Sequence, residues 1–305
     1  MRSLHVFLVV ASLMGAIGCS LFEKRTDPTP RPNTPVPQVT SAQLVDYLND
    51  RASRLQTLSG EVKFTARDGS VVGGNIGLTL HGDMTANQPR NFRMTGKGNM
   101  AGTVDLGSNS DQFWVYFEAP KPTFVFASHT DFEAGRAKLP GGIPFEPDWV
   151  MQALNMHTFP KNIQYNAAKN QSDRTYTLSW QSTTPAGIAI KKEVVFDADE
   201  VHEGRPQVKK HLIRDSKDKL LCSAEVKAVK TVALPGADPR STQMAVQYPT
   251  HVVLRWEVQK FELDLMIDNI QVNPQFPDEQ TRRLFRRPEY STPAIDLAKH
   301  EFTIR

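Results

Sequence analysis

The chain begins with an apolar run, continues through a proline-rich stretch, and then adopts first a helical and then a two-residue period. Residues 4–17 are apolar apart from His5, Ser12 and Gly15, a run shorter than the roughly 20 residues that a membrane-crossing helix needs. Residues 20–41 carry prolines at 28, 30, 32, 35 and 37 with sparse apolar content. Such a segment favours extended polyproline conformations and does not bury a core. After it, Leu44, Val45, Leu48, Ala52, Leu55 and Leu58 fall at i, i+3/4 and i+7. This predicts an amphipathic helix with Ser41 as N-cap and Gly60 as its stop.

From residue 61 the period becomes two. EVKFTARD (61–68) alternates Val62, Phe64 and Ala66 against polar neighbours, and NIGLTLHGD (75–83), RNFRMTGKG (90–98), DQFWVYFEA (111–119) and TFVFASH (123–129) continue as short strands. Gly, Asn, Asp and Pro separate them. One helical interruption is predicted over roughly 147–157, followed by IQYNAA, TYTLSWQS, IAIKKEVVFDA, VKKHLIRD, LLCSAEVKAVKTV, HVVLRWEV and FELDLMIDNIQVN. DADEVHEGRP (197–206) and DSKDK (215–219) read as charged hairpin turns. About a dozen antiparallel strands and two helices result, a mainly β chain of the α+β kind. There is no βαβ alternation to support a parallel sheet and no repeat period.

The leader has a second feature. Arg2 precedes the apolar run, and Gly15, Ala16 and Gly18 lie just before Cys19, the order of a secretory signal. Ala16-Ile17-Gly18-Cys19 resembles the bacterial lipobox, in which the cysteine sulfur receives a diacylglycerol and becomes the new N-terminus. Two or three acyl chains, at about 0.8 kcal/mol per buried CH₂, give a stable anchor. The segment after Cys19 then reads as a tether, spanning roughly 60 Å at about 3.1 Å per residue. Ser20, rather than aspartate, implies export to the outer membrane under the sorting rule of well-studied bacteria.

Composition narrows the function classes. The chain has 305 residues, 23% of them charged, with a net charge of +3. Both signs are interspersed, without the clustered basic face of a nucleic-acid binder. RRLFRR (282–287) is the densest basic run and reads as a solvated terminal face. With Cys19 committed to lipid, Cys222 implies no disulfide framework. The eight histidines lack metal-ligand spacing. Ser128, His129 and Asp131 alternate faces on a strand and do not line up as a triad. Asp197, Asp199, Glu200, His202 and Glu203 lack a calcium-loop pattern and sit where a turn is expected. No enzyme and no cofactor or metal is indicated.

The order of several motifs resembles the LolA/LolB lipoprotein-carrier superfamily, which also includes RseB-type periplasmic sensors. LQTLSGEVKFTARDG is similar to its first helix and strand, QPRNFRMTG (88–96) to its proline-then-aromatic segment, and LGSNSDQFWVYFEAP (106–120) to its tryptophan hairpin. GIPFEPDWVMQAL (142–154) resembles the entry to the helix that crosses the open side. DNIQVNPQFPDEQTRRLFRRP (268–288) resembles the closing strand. Gln88 departs from the pattern, standing where the carrier has an arginine that helps hold lid and cargo.

The resemblance implies an unclosed antiparallel half-barrel of about 11–12 strands with plugging helices on its concave face. It divides the chain into signal peptide (1–18), lipidated tether (19–41), half-barrel (42–288) and C-terminal tail (289–305). Among 16 Phe, 6 Tyr and 4 Trp, the candidates for lining an acyl-binding cavity are Phe92, Met94, Trp114, Tyr116, Phe124, Phe126, Trp149, Trp180 and Trp256. Alternation puts Trp114 and Tyr116 opposite Phe113, Val115 and Phe117. The implied protein is an envelope lipoprotein, anchored at the outer membrane and facing the periplasm, that binds lipid or lipoprotein acyl chains. The alternative is a non-enzymatic envelope sensor or scaffold with a protein partner.

Overall fold

The computed structural model describes residues 35–68, 77–98, 102–118, 121–137, 147–184, 187–202, 205–234 and 245–299. The chain divides after Pro35, and Val36–Arg305 forms one compact unit. Cys19 and most of the proline-rich segment lie outside the described residues.

The first helix, α1 (Ser41–Arg54), is capped one residue before the expected position. The Thr40 hydroxyl accepts from the Gln43 amide at 3.2 Å while Gln43 Oε1 accepts from the Thr40 amide at 2.9 Å, a reciprocal capping box. It also ends well before Gly60. The Gln88 side-chain amide donates to the carbonyls of Ala52 and Leu55, and Asn273 Nδ2 donates to that of Arg54. These bonds satisfy the helix's last carbonyls, so Leu58 and Gly60 belong to the following strand. Gln88 therefore serves α1 directly.

Six strands follow: β1 (Thr57–Asp68), β2 (Gly77–Asn87), β3 (Asn91–Gly98), β4 (Gly102–Ser108), β5 (Gln112–Phe117) and β6 (Thr123–Ser128). After the short α2 (His129–Glu133) and α3 (Pro147–Ala153) come β7 (Asn166–Asn170), β8 (Thr175–Thr183), β9 (Ala189–His202), β10 (Arg205–Asp215), β11 (Leu220–Ala233), β12 (Ala245–Trp256) and β13 (Phe261–Val272). The chain finishes with α4 (Asp278–Leu284) and β14 (Ile295–Asp296). The pattern reading lacks β4, α2 and α4. It also assigns Asp197–His202 to a turn, whereas β9 runs to His202 and pairs with the start of β10.

All fourteen described strands form one sheet in the order β14-β6-β5-β4-β3-β2-β1-β13-β12-β11-β10-β9-β8-β7. Neighbours pair antiparallel except β14, which joins β6 in parallel. The two ends of the order do not meet, so the fold is an unclosed antiparallel half-barrel with a few helices. One face, here the inner, gathers a large apolar cluster from β1–β6 and β9–β13, joined by Trp149, Val150 and Met151 of α3 and by Leu154 just after it. α1 covers a second cluster over β8, β9 and β10, where Leu44, Val45, Tyr47 and Leu48 meet Leu178, Val194 and Phe196. Val36 joins this cluster at 2% exposure, and Pro37 accepts from the Tyr176 hydroxyl. The last residues assigned to the tether thus pack on the folded unit.

The C-terminal segment wraps the molecule. Arg93 Nη1 donates to the Leu284 carbonyl and Asn109 Nδ2 to that of Phe285. The Arg287 guanidinium lies 3.8 Å over the Phe126 ring. Tyr290 stacks on Tyr116 at 3.7 Å with an 8° interplanar angle. β14 then pairs with the β6 edge, and Leu297 reaches the inner cluster. Replacing Tyr290 by alanine removes this stack and a buried hydrogen bond to Asp105, a loss of about 1–3 kcal/mol. Hydrogen exchange of residues 290–299 in Tyr290→Ala is expected to accelerate at least tenfold while β10–β12 stay protected; unchanged exchange of the strap would show that Tyr290 does not hold it.

Candidate functional site

The inner face is built by strand alternation. On one half Met84, Met94, Leu106, Val115 and Val125 form a cross-strand row over β2–β6, with Ala86, Phe92, Ser108, Phe113 and Ala127 beside it. On the other half the rows are His211, Ala224, Leu254 and Leu263, and Ile213, Cys222, Trp256 and Phe261. α3 spans the two. Its Asp148 ion-pairs with Arg90 next to β3 at 3.1 Å, while the adjacent Trp149 packs edge-on against Trp256 of β12 at 5.7 Å.

The nine expected cavity residues divide among three places. Phe92, Met94, Trp149 and Trp256 belong to the inner cluster. Trp180 lies under α1 and meets Phe159 and Tyr165 edge-on. Trp114, Tyr116, Phe124 and Phe126 are gathered on the outer face beneath Tyr290. The parity of β5 and β6 forces this split, since Phe113, Val115, Val125 and Ala127 take the inner positions.

The outer cluster is organised by Asp105, whose side chain is fully buried. Its carboxylate accepts from Arg93 Nη2 at 2.8 Å, Trp114 Nε1 at 3.1 Å and the Tyr290 hydroxyl at 2.7 Å. A buried carboxylate is tolerated when it is paired and bonded in this way. Burial and then the Asp105 carboxylate push the Tyr290 hydroxyl pKa upward. Gly107 makes room for the Trp114 ring: a Cβ there would lie 2.1 Å from Trp114 Cζ2. Beyond this cluster a groove of about 560 Å³ runs along β13, β1, β2 and β3, lined among others by Glu61, Asp83, Arg93, Thr95, Gln271 and Leu284.

The inner face carries a few polar groups among its apolar ones. Arg51 of α1 is 7% exposed; its Nη1 donates to the Tyr47 hydroxyl at 2.6 Å and its Nη2 to the Gln247 carbonyl at 2.8 Å. His211 is 3% exposed, and burial followed by the charge of Arg51 pushes its imidazole down to about 4. Arg51 Nε, His211 Nε2 and the Trp149 indole N–H have no hydrogen-bond partner among the described residues. His157, just after α3, is also pushed down, chiefly by burial; Asp148 opposes this, and Lys192 and Arg90 add to it.

Other expected sites resolve into structural roles. Ser128 caps α2 by accepting from the Asp131 amide, and it donates to the Asp131 carboxylate. His129 Nε2 faces Ser108 Oγ and the Asn109 carbonyl, so the three residues do not form a nucleophile relay. Asp197 accepts from Lys209 Nζ and from the amides of Asp199 and Glu200. Residues 203–204 lie outside the described residues. No metal-holding group of His, Cys, Asp and Glu occurs among the described residues.

Sequence reasoning missed Arg51, His211, Asp105 and Tyr290. Two signals were available. Arg51 stands seven residues after Leu44, on the apolar stripe of α1, and His211 shares the alternating face of Ile213. Asp105 and Tyr290 left none, because their partners are distant in sequence.

No protein-family model and no curated protein matches the chain. Among solved structures the chain is similar to a putative outer membrane lipoprotein-sorting protein domain from Vibrio parahaemolyticus, with 12% identity over 79% of this chain and 98% of that one and a TM-score of 0.48. It is also similar to a LolA superfamily protein from Nitrosomonas europaea, with 8% identity, 82% and 99% coverage and a TM-score of 0.45. A third is a DUF1329 family protein from Desulfovibrio piger, with 12% identity, 79% and 99% coverage and a TM-score of 0.45.

The depressed His211 gives this face a pH signature. The unfolded chain takes up a proton near pH 6.5 while the folded His211 stays neutral to about pH 4. Stability is therefore expected to fall as pH drops through that interval. His211→Gln removes this contribution, so its urea midpoint is expected to change less than the wild type's between pH 6.5 and 4.5; parallel profiles would exclude His211 as a source of the slope.

Proposed function

We propose that this protein is a membrane-anchored module of the cell envelope that holds acyl chains of lipid or lipoprotein against the inner face of its half-barrel. The carrying observation is a wide apolar face covered by the seven-residue helix α3. An open sheet cannot close on itself, so helix or ligand must keep that face from water. Phe92, Met94, Trp149 and Trp256 are the lining residues of this reading, and an acyl chain takes the place of α3 side chains over them. Trp114, Tyr116, Phe124 and Phe126 serve the strap, and Trp180 serves the packing of α1.

Cys19 is the proposed attachment point, followed by a proline-rich tether that holds the domain clear of the headgroups, at the outer membrane on its periplasmic side. The short apolar leader, the small residues before Cys19 and the LolA-like order of motifs support this reading. No helix among the described residues is long and apolar enough to cross a membrane.

Native mass spectrometry of the compact unit Val36–Arg305, purified without detergent and then incubated with phospholipid or acylated peptide, tests the cavity. Near-stoichiometric bound lipid is expected. A mass that stays unliganded would favour the sensor or scaffold alternative. Separately, Cys19→Ser is expected to move the full chain from the membrane to the soluble fraction; membrane retention of that variant would remove lipidation as the anchor.

A further inference from the structure

The groove along β13, β1, β2 and β3 carries carboxylates that the protein itself leaves unanswered. Glu61 of β1 stands in register with Asp83 of β2 and, on its other side, with Asp268 of β13. The row continues through Thr95 and Asp105 to Tyr116, which places it on the outer face. Glu61, Asp83 and Asp268 are exposed, and like charges directly opposite one another on a sheet repel. Other carboxylates of these strands have partners: Glu262 meets Arg67 and Arg255, and Asp264 meets Arg67 and His251. Asp105, in the same row, meets Arg93. Glu61, Asp83 and Asp268 form no ion pair among the described residues.

The neighbouring polar side chains of the groove are also unused. Those of Thr85, Thr95, Asn269 and Gln271 make no hydrogen bond among the described residues. Further along the same two strands, by contrast, the hydroxyls of Thr65 and Thr79 bond to each other at 3.0 Å. A β-bulge shapes the site. Between Ser59 and Glu61 the pairing with β13 slips, and Asn269 takes a φ of 48° there. Bulges of this kind re-aim side chains and recur beside functional sites. The bulge needs a glycine opposite it, since a Cβ on Gly60 would lie 2.9 Å from the Asp268 carbonyl oxygen. Met84 and Leu284 add apolar surface to the lining.

We infer that this groove binds an extended basic peptide segment of a partner protein, with a guanidinium or ammonium group set between Glu61 and Asp83. The cation removes the repulsion within the row and forms charge-assisted bonds to both carboxylates. A volume of about 560 Å³ is far more than a single ion fills. Three strand spacings of about 4.8 Å make the groove roughly 14 Å across, the reach of about four extended residues. Peptide amides donate and accept, which suits the free hydroxyl and amide side chains beside the carboxylates. A neutral saccharide would meet those groups too but would leave the two charges uncompensated. The chain as a whole carries a net charge of +3, so the attraction for a cation is local to this row. The site lies on the face opposite the acyl-binding one proposed above and does not depend on that reading.

The test is calorimetric titration of the full chain with two probes, acetylated tetra-arginine and its uncharged counterpart tetra-citrulline. Tetra-arginine is expected to bind and tetra-citrulline is not. Affinity is expected to fall roughly threefold in Glu61→Gln and in Asp83→Asn, and about tenfold in the double variant. Glu200→Gln, at an exposed carboxylate of β9, is expected to leave it unchanged. Thr95→Lys places an ammonium opposite Asp83 and is expected to raise the melting temperature and to block the peptide. None of these positions is buried, and thermal unfolding checks that each variant folds.

Arginine binding that weakens in the variants of the row and not in Glu200→Gln supports the site. Equal weakening by Glu200→Gln would reduce the effect to general charge attraction and overturn it. Equal binding of the citrulline peptide, or no binding of either probe, would overturn it as well. Binding of maltotetraose in place of the arginine peptide would give the groove to a neutral saccharide and likewise defeat the proposal.

Discussion

An antiparallel sheet that is apolar on one face and does not close has to be covered from within, and most of the architecture answers that requirement. A full barrel would use its own opposite wall. Here part of the work falls to short elements: α3 adds Trp149, Val150 and Met151 to the cluster of β1–β6 and β9–β13, and α1 packs on the cluster of β8–β10. Each must be held at its ends, because a seven-residue helix has little stability of its own. Gln88 and Asn273 fix the C-terminus of α1, and Arg90 ties α3 to α2 by pairing with both Asp148 and Glu133. The fold is thus a large rigid sheet with small, side-chain-fastened covers.

The same requirement governs the sheet edges. Unpaired edge strands invite association with other chains. At one edge the C-terminal strap supplies β14 to β6 and seals the turn with Leu297. At the other, β7 is five residues long with an exposed, polar sequence, and its Lys169 donates to the Val36 carbonyl. Two different devices guard the two ends. The strap depends on Asp105, one of the few buried carboxylates, which serves β3, β5 and the strap at once.

Alternation made much of this legible, because a two-residue period states which side chains share a face before any partner is known. It assigned Trp114 and Tyr116 to one face and Phe113 and Val115 to the other. It did not indicate which face was inner, and the candidate list therefore mixed both. β4 escaped because Gly102, Asp105 and Gly107 interrupt its apolar pattern. Those residues answer to Glu118, to Arg93 with Tyr290, and to the Trp114 ring, none of them adjacent in sequence. The helix boundaries shifted for a similar reason: the stop of α1 is set by side chains from residues 88 and 273, and Gly60 has no part in it. Val36 and Val39 were hidden among prolines, although they pack against the cluster under α1.

The two faces also differ in how much charge they carry. On the outer face, charges are shared in chains: Arg255 bridges Glu225 and Glu262, and Arg67 meets Glu262 and Asp264. Burial would raise the Glu225 pKa, yet Lys227 and Arg255 hold it down at about 2. Such half-exposed pairs each contribute little, and on this face too a buried nitrogen, Arg93 Nε, has no partner among the described residues. On the inner face Arg51, His211 and Trp149 present nitrogens that no described residue meets. An unsatisfied buried donor costs about 1–3 kcal/mol, and an apolar side chain at each position would remove that cost.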